Sequence, residues 1–99
     1  MLTSKQRAQL RKTANGIETI LHIGKDGIND NLVVQANDAL NARELIKCRA
    51  LETSFMTAQE AANALAEVTG SDVVQAIGTR FVLYRRNPGL GDKCIKLVK

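Results

Sequence analysis

The chain has 99 residues, 44% hydrophobic and 24% charged, with a net charge of +4 and a pI near 9.4. That length makes one domain that buries a core without staples, since domains usually run to roughly 100–150 residues. No apolar run approaches the roughly 18 residues of a membrane span, Cys48 and Cys94 lack metal-ligand spacing, and residues 1–5 lack the apolar core of a signal peptide, so a protein of the reducing cytosol is expected.

A basic balance favours a polyanionic partner, and the charges are not evenly spread. Lys5, Arg7, Arg11 and Lys12 crowd the first segment, Lys25 stands alone between glycines, and Arg80, Arg85 and Arg86 gather near the end, whereas Glu60, Glu67 and Asp72 fall between. Any one such cluster is equally well read as a solvated face, so the pattern needs support from motifs. The sequence shows no carboxylate pair, metal-type cluster or activated nucleophile. Catalysis is therefore not expected, and neither is a cofactor or a small-molecule substrate.

In chain order, Thr3 and Gln6 form a capping box for a helix over residues 5–14, with Asn15-Gly16 as a left-handed stop. Its apolar content is only Ala8, Leu10 and Ala14, which predicts a helix at the edge of the fold with its basic side in water. Residues 17–23 alternate, Ile17, Thr19, Leu21 and Ile23 against Glu18, Ile20 and His22, as a strand does. His22 has no second histidine or cysteine near it and reads as surface, or as a pH-dependent donor to a phosphate.

Gly24-Lys25-Asp26-Gly27 follows that strand and precedes Asn29, a helix cap. Two glycines three apart let the backbone turn sharply and approach a partner closely. Free N–H groups at such a turn, the positive end of the next helix and the Lys25 charge make a concavity suited to an anionic oxygen. The same spacing also serves as a plain tight connection.

Helical spacing of Leu32, Val33, Ala36, Ala39 and Leu40 predicts a second helix over residues 30–42. Residues 44–51 return to strand behaviour, with Ile46, Cys48 and Ala50 opposite Leu45, Lys47, Arg49 and Leu51, and Cys48 directed into the core. Thr57 and Glu60 make a second capping box for an alanine-rich helix that Gly70 closes. Residues 71–77 and 80–86 are strands joined at Gly78-Thr79, a two-residue hairpin turn; Phe81, Leu83 and Arg85 share one side, Arg80, Val82, Tyr84 and Arg86 the other. Residues 87–91 break regular structure and leave a basic tail, 92–99, expected to be partly ordered and to add a short strand through Ile95 and Leu97.

The element order is α-β-α-β-α-β-β. Together with Gly24-Lys25-Asp26-Gly27, Glu44-Leu45-Ile46-Lys47 and the run from Ile77 through Gly78, Thr79, Arg80 and Phe81 to Leu83-Tyr84-Arg85, it resembles the YhbY family, the free-standing bacterial form of the CRM (chloroplast RNA splicing and ribosome maturation) domain. The likeness runs from about residue 2 to residue 86. It implies an α+β, two-layer domain over residues 1–86, followed by the tail at 87–99. A mixed four-stranded sheet would carry the helices, as in the C-terminal domain of the third bacterial initiation factor. It further implies a non-catalytic RNA-binding protein linked to maturation of the large ribosomal subunit. The implied RNA contacts are Gly24, Lys25, Asp26 and Gly27 in the loop, Arg7, Arg11 and Lys12 on the first helix, and Lys47, Arg80 and Arg85 on strands.

With Phe55, Phe81 and Tyr84 as its aromatics and no tryptophan, the chain is expected to lack an exposed stacking platform for single-stranded bases. Recognition should then rest on shape and phosphate contacts to structured ribosomal RNA. The competing reading is a protein-interaction adaptor on the ribosome, its basic face turned to an acidic protein.

Overall fold

In the computed structural model, which describes residues 2–87 and 95, the elements are α1 (Ser4–Ala14), β1 (Thr19–Ile23), α2 (Asp30–Arg43), β2 (Leu45–Ala50), α3 (Ala58–Thr69), β3 (Asp72–Ile77) and β4 (Arg80–Tyr84). The expected order and α+β class are both present. One mixed sheet runs β1-β2-β4-β3: β1 and β2 are parallel, β2 and β4 antiparallel, and β3 and β4 form the antiparallel hairpin. The proposed strand through Ile95 and Leu97 lies outside the described residues apart from Ile95 itself. Among the described residues no helix is long and apolar enough to cross a membrane.

Local signals start and stop most elements. Thr3 Oγ1 accepts from the Gln6 amide and Gln6 Oε1 from the Thr3 amide, each at 3.1 Å, and Thr57 and Glu60 repeat the arrangement at α3. Asn29 Oδ1 caps α2 through the Leu32 amide at 2.9 Å, and Gly70, at φ +68°, closes α3. The end of α1 differs from expectation. Asn15 stays right-handed (φ −62°), and Gly16 and Ile17 leave through bonds to the carbonyls of Thr13 and Ala14. Ile17 turns back to pack beside α1, so β1 begins only at Thr19.

Strand alternation sorts the side chains onto two sheet faces. Leu21, Ile23, Ile46, Cys48, Phe81 and Leu83 meet Leu32, Ala36 and Leu40 of α2 and Ala61, Ala62 and Leu65 of α3. Small alanines bring α3 close to the sheet. On the opposite face Leu10 and Ala14 of α1 cover Leu45, Val74, Val82 and Tyr84. Helix α1 is thus not at an edge. Two fully buried side chains suffice to seat it as a cover on the second face, while Lys5, Arg7, Arg11 and Lys12 stay exposed.

Glu44 is not the first residue of a strand but the bend between α2 and β2, with φ +62° and no exposure. A non-glycine residue in such a sparsely populated conformation costs roughly 1–3 kcal/mol, which its hydrogen bonds offset. Its carboxylate accepts from the amides of Asn87 (2.7 Å) and Ile95 (2.6 Å), and its carbonyl from the Arg85 amide (2.8 Å). Arg85, Asn87 and Ile95 are therefore held against the α2–β2 bend.

Arg85 performs a related task with its side chain. Its guanidinium donates to Asn37 Oδ1 (2.7 Å), the Thr69 carbonyl (2.6 Å), the Asn37 carbonyl (3.2 Å) and Asn41 Oδ1 (2.8 Å), tying α2, the end of α3 and β4 together. Hydrogen bonds from a charged donor are the stronger kind, and removing that donor strands several acceptors at once. Arg85→Met should lower unfolding free energy by roughly 2 kcal/mol in urea titrations; an unchanged midpoint would remove this structural role.

Cys48 sits at the centre of the larger core, where burial pushes its thiol from 9.0 up to about 12. Its neutral form is favoured by the fold, so the associated stability is complete below about pH 9 and declines as pH rises toward 12. Between pH 9 and 11, urea titrations should show stability falling more steeply in the wild-type chain than in Cys48→Ala.

Candidate nucleic-acid interface

Because β1 and β2 are parallel, and β4 runs against both β2 and β3, the connections after β1, after β2 and between β3 and β4 all emerge at one end of the sheet. Two backbone bonds bind them there. The Leu51 amide donates to the Ile23 carbonyl at 2.8 Å, and the Ala50 amide to the Thr79 carbonyl at 2.7 Å. The Gly24–Gly27 loop is the first of these connections.

Gly27 donates its amide to the Gly24 carbonyl at 3.0 Å, closing a four-residue turn, so this N–H is not among those turned outward. Among the described residues the Lys25 and Asp26 amides meet no acceptor. The two glycines are not equivalent. Gly27 has φ +63°, which a Cβ strains, whereas a Cβ on Gly24 would only reach ordinary contact with Thr53 Oγ1 at 3.7 Å. Beside the loop lies an open cleft of about 570 Å³, walled by His22, the loop itself, Thr53, and Asn29, Asn31, Leu32 and Gln35 of the first turns of α2. Lys25 and Asp26 are exposed at its rim.

The sheet face turned away from α2 and α3 carries a row of side chains leading to this end. His22 is registered with Arg49, Arg49 with Arg80, and Arg80 with Ile77. At about 4.8 Å between strands, the four positions span about 14 Å across the whole sheet. His22, Arg49 and Arg80 are exposed. Lys47, two residues before Arg49 on the same face, is half-buried between the end of α1 and the β3–β4 hairpin. Among the described residues none of the side chains of Lys25, Lys47, Arg49 and Arg80 forms a hydrogen bond or an ion pair. Arginines directly opposite one another are mutually destabilising, so Arg49 and Arg80 form a site that an anion would relieve.

The structure therefore brings Lys47 and Arg80 together on the face that α1 covers, with Gly24, Lys25, Asp26 and Gly27 at its end and Arg7, Arg11 and Lys12 exposed on α1. It does not bring Arg85 there. By strand alternation Arg85 faces with Phe81 and Leu83, at the other end of β4, and its guanidinium is engaged with α2 and α3. Sequence reasoning passed over Arg49, although its place beside Lys47 on the outer side of the strand was legible; its pairing with Arg80 depends on register alone. His22 is exposed as expected, but it stands at the start of the row. The three aromatic side chains differ in exposure, and Phe81 lies in the core as expected. Phe81 and Tyr84 are buried, while Phe55, after β2, is 92% exposed.

The model of the CRS1/YhbY (CRM) domain matches residues 2–85. The chain belongs to this family. It is 41% identical over 87 residues to the "Probable RNA-binding protein YqeI" of Bacillus subtilis, covering 88% of this chain and 91% of that one. It is 32% identical over 84 residues to an "RNA-binding protein" of Haemophilus influenzae, covering 85% of each. The solution structure of the hypothetical protein SAV1595 from Staphylococcus aureus superposes with a TM-score of 0.81 at 43% identity, covering 99% of this chain and all of that one. Among the described residues no group of three or more His, Cys, Asp or Glu side chains could hold a metal ion.

The asymmetry of this CRM loop has a measurable consequence. Gly27→Ala should lower stability by roughly 1–2 kcal/mol through backbone strain, whereas Gly24→Ala should stay within about 0.5 kcal/mol of wild type. Equal losses in thermal denaturation would contradict the loop geometry.

Proposed function

We propose that this protein is a non-catalytic, cytoplasmic RNA-binding protein that lays its glycine loop and the adjoining basic sheet face on the phosphate backbone of precursor large-subunit ribosomal RNA, assisting ribosome assembly. The observation that carries this reading is the convergence of the Gly24–Gly27 turn with Arg49, Arg80 and Lys47 at one end and one face of the sheet. The names of the Bacillus and Haemophilus relatives support RNA as the partner. The ribosomal target follows from what the YhbY resemblance implies.

The chemistry is electrostatic. Lysine and arginine displace counterions from the phosphate chain, and the outward amides of Lys25 and Asp26 offer directional donors beside them. Arg49 and Arg80, directly opposite each other on neighbouring strands, offer two guanidinium groups to phosphate oxygens, and binding relieves their mutual repulsion. Lys25 places a further charge at the tip of the turn. Arg7, Arg11 and Lys12 extend the same positive field along α1.

Lys25→Ala and Arg80→Gln should weaken binding to a structured ribosomal RNA fragment and make the log–log salt dependence shallower by about 0.7–0.9 for each phosphate contact removed, measured by fluorescence anisotropy. Both variants alter exposed side chains and should fold normally. Wild-type affinity in both would refute the interface. Co-sedimentation with large-subunit precursors should disappear after ribonuclease treatment; persistence would favour an adaptor bound to an acidic protein.

A further inference from the structure

We propose that Phe55 is a stacking platform for one unpaired nucleobase of the RNA that lies on the glycine loop, so that the site favours RNA with a bulged or looped-out nucleotide over continuous duplex. This rests on the RNA-binding reading above and adds a preference that the phosphate contacts alone do not supply.

Three observations carry it. Phe55 is the chain's only exposed aromatic, since the remaining two, Phe81 and Tyr84, are buried. The segment that carries it runs beside the loop: Thr53 Oγ1 lies 3.7 Å from the position a Cβ on Gly24 would take, and Met56 Sδ lies 3.9 Å from the same position on Gly27. And the backbone on either side of the ring is fixed. Ser54 Oγ accepts from the Met56 amide at 3.1 Å and donates to the Met56 carbonyl at 3.3 Å, the Ser54 amide donates to the Leu51 carbonyl at 2.9 Å, and Met56 packs against the larger core.

An isolated exposed apolar side chain is ordinary on a protein surface. A ring carried on a pinned segment beside a phosphate-facing turn has a more specific use, because the backbone that presents it is fixed before RNA arrives. A phenyl face offers no hydrogen bond and discriminates little among bases, but it needs a base with an open π-face. Such faces occur at bulges, loops and helix ends and not within continuous duplex. The loop amides and Lys25 would hold the phosphate of the nucleotide whose base, or whose neighbour's base, lies on the ring.

The test uses two RNA duplexes without loops that differ only by one bulged nucleotide. Phe55→Ala should weaken binding to the bulged RNA by about fivefold or more and leave the continuous duplex nearly unaffected. Because the chain has no tryptophan, Phe55→Trp introduces a single tryptophan, excited selectively over Tyr84, whose emission should be quenched by the bulged RNA and much less by the continuous one. Equal affinity of Phe55→Ala and wild type for the bulged RNA, or an unquenched Phe55→Trp, overturns the proposal. So does a Phe55→Trp emission that changes with protein concentration without RNA, which would place the ring in a contact between copies of the chain. Lys25→Ala, measured on the same RNAs, separates the two claims. Loss with Lys25→Ala but not with Phe55→Ala removes the stacking platform and keeps the RNA interface, whereas wild-type binding by Phe55→Ala, Lys25→Ala and Arg80→Gln alike removes both.

Discussion

The parallel pairing of β1 with β2 is the constraint from which the candidate site follows. A parallel pair needs a crossover, and α2 supplies it, capped by Asn29 and seated on the sheet by Leu32, Ala36 and Leu40. The pairing obliges both strands to end on the same side, which sets the Gly24–Gly27 turn against the segment that carries Thr53, Phe55 and Met56. It also aligns His22 with Arg49. Had the two strands been antiparallel, the glycine turn and the Phe55 segment would lie at opposite ends.

The two faces of the sheet do different work. One is closed by α2 and α3 over a large aliphatic core, with Cys48 neutral at its centre and Arg85 tying the helices across its far end. The other is covered by the short α1, anchored through Leu10 and Ala14. That cover leaves His22, Arg49 and Arg80 exposed near the glycine turn. The arginine used for structure and the residues proposed for binding are thus separated in space: Arg85 lies on the closed face, and Arg49 and Arg80 lie on the other.

Several features near the candidate site sacrifice some stability. Arg49 and Arg80 are adjacent like charges, Gly27 fixes a backbone conformation that side chains resist, and Phe55 leaves a large apolar ring in water. Each is local and small beside the burial on the opposite face. Their concentration at one end of the sheet sets that end apart from the rest of the fold, where caps, alternation and helix periodicity agree with one another.

The sequence alone determined the elements, because their signals are local. Capping boxes at Thr3 and Thr57, the Asn29 cap, the Gly78 turn and the period of the apolar residues each act within a few positions, and the recurring motifs pointed to the CRM family. What escaped that reading was non-local. The pairing of Arg49 with Arg80 is a matter of register between strands some thirty residues apart. The engagement of Arg85 with α2 and α3 depends on how those helices pack, and the positive φ of Glu44 on hydrogen bonds from residues that follow β4. Composition likewise gave the number of aromatic rings but not which of them the core would leave uncovered. Those outcomes were decided by tertiary structure, since charges gather into one surface, and a ring is left uncovered beside it, only once distant segments share a face.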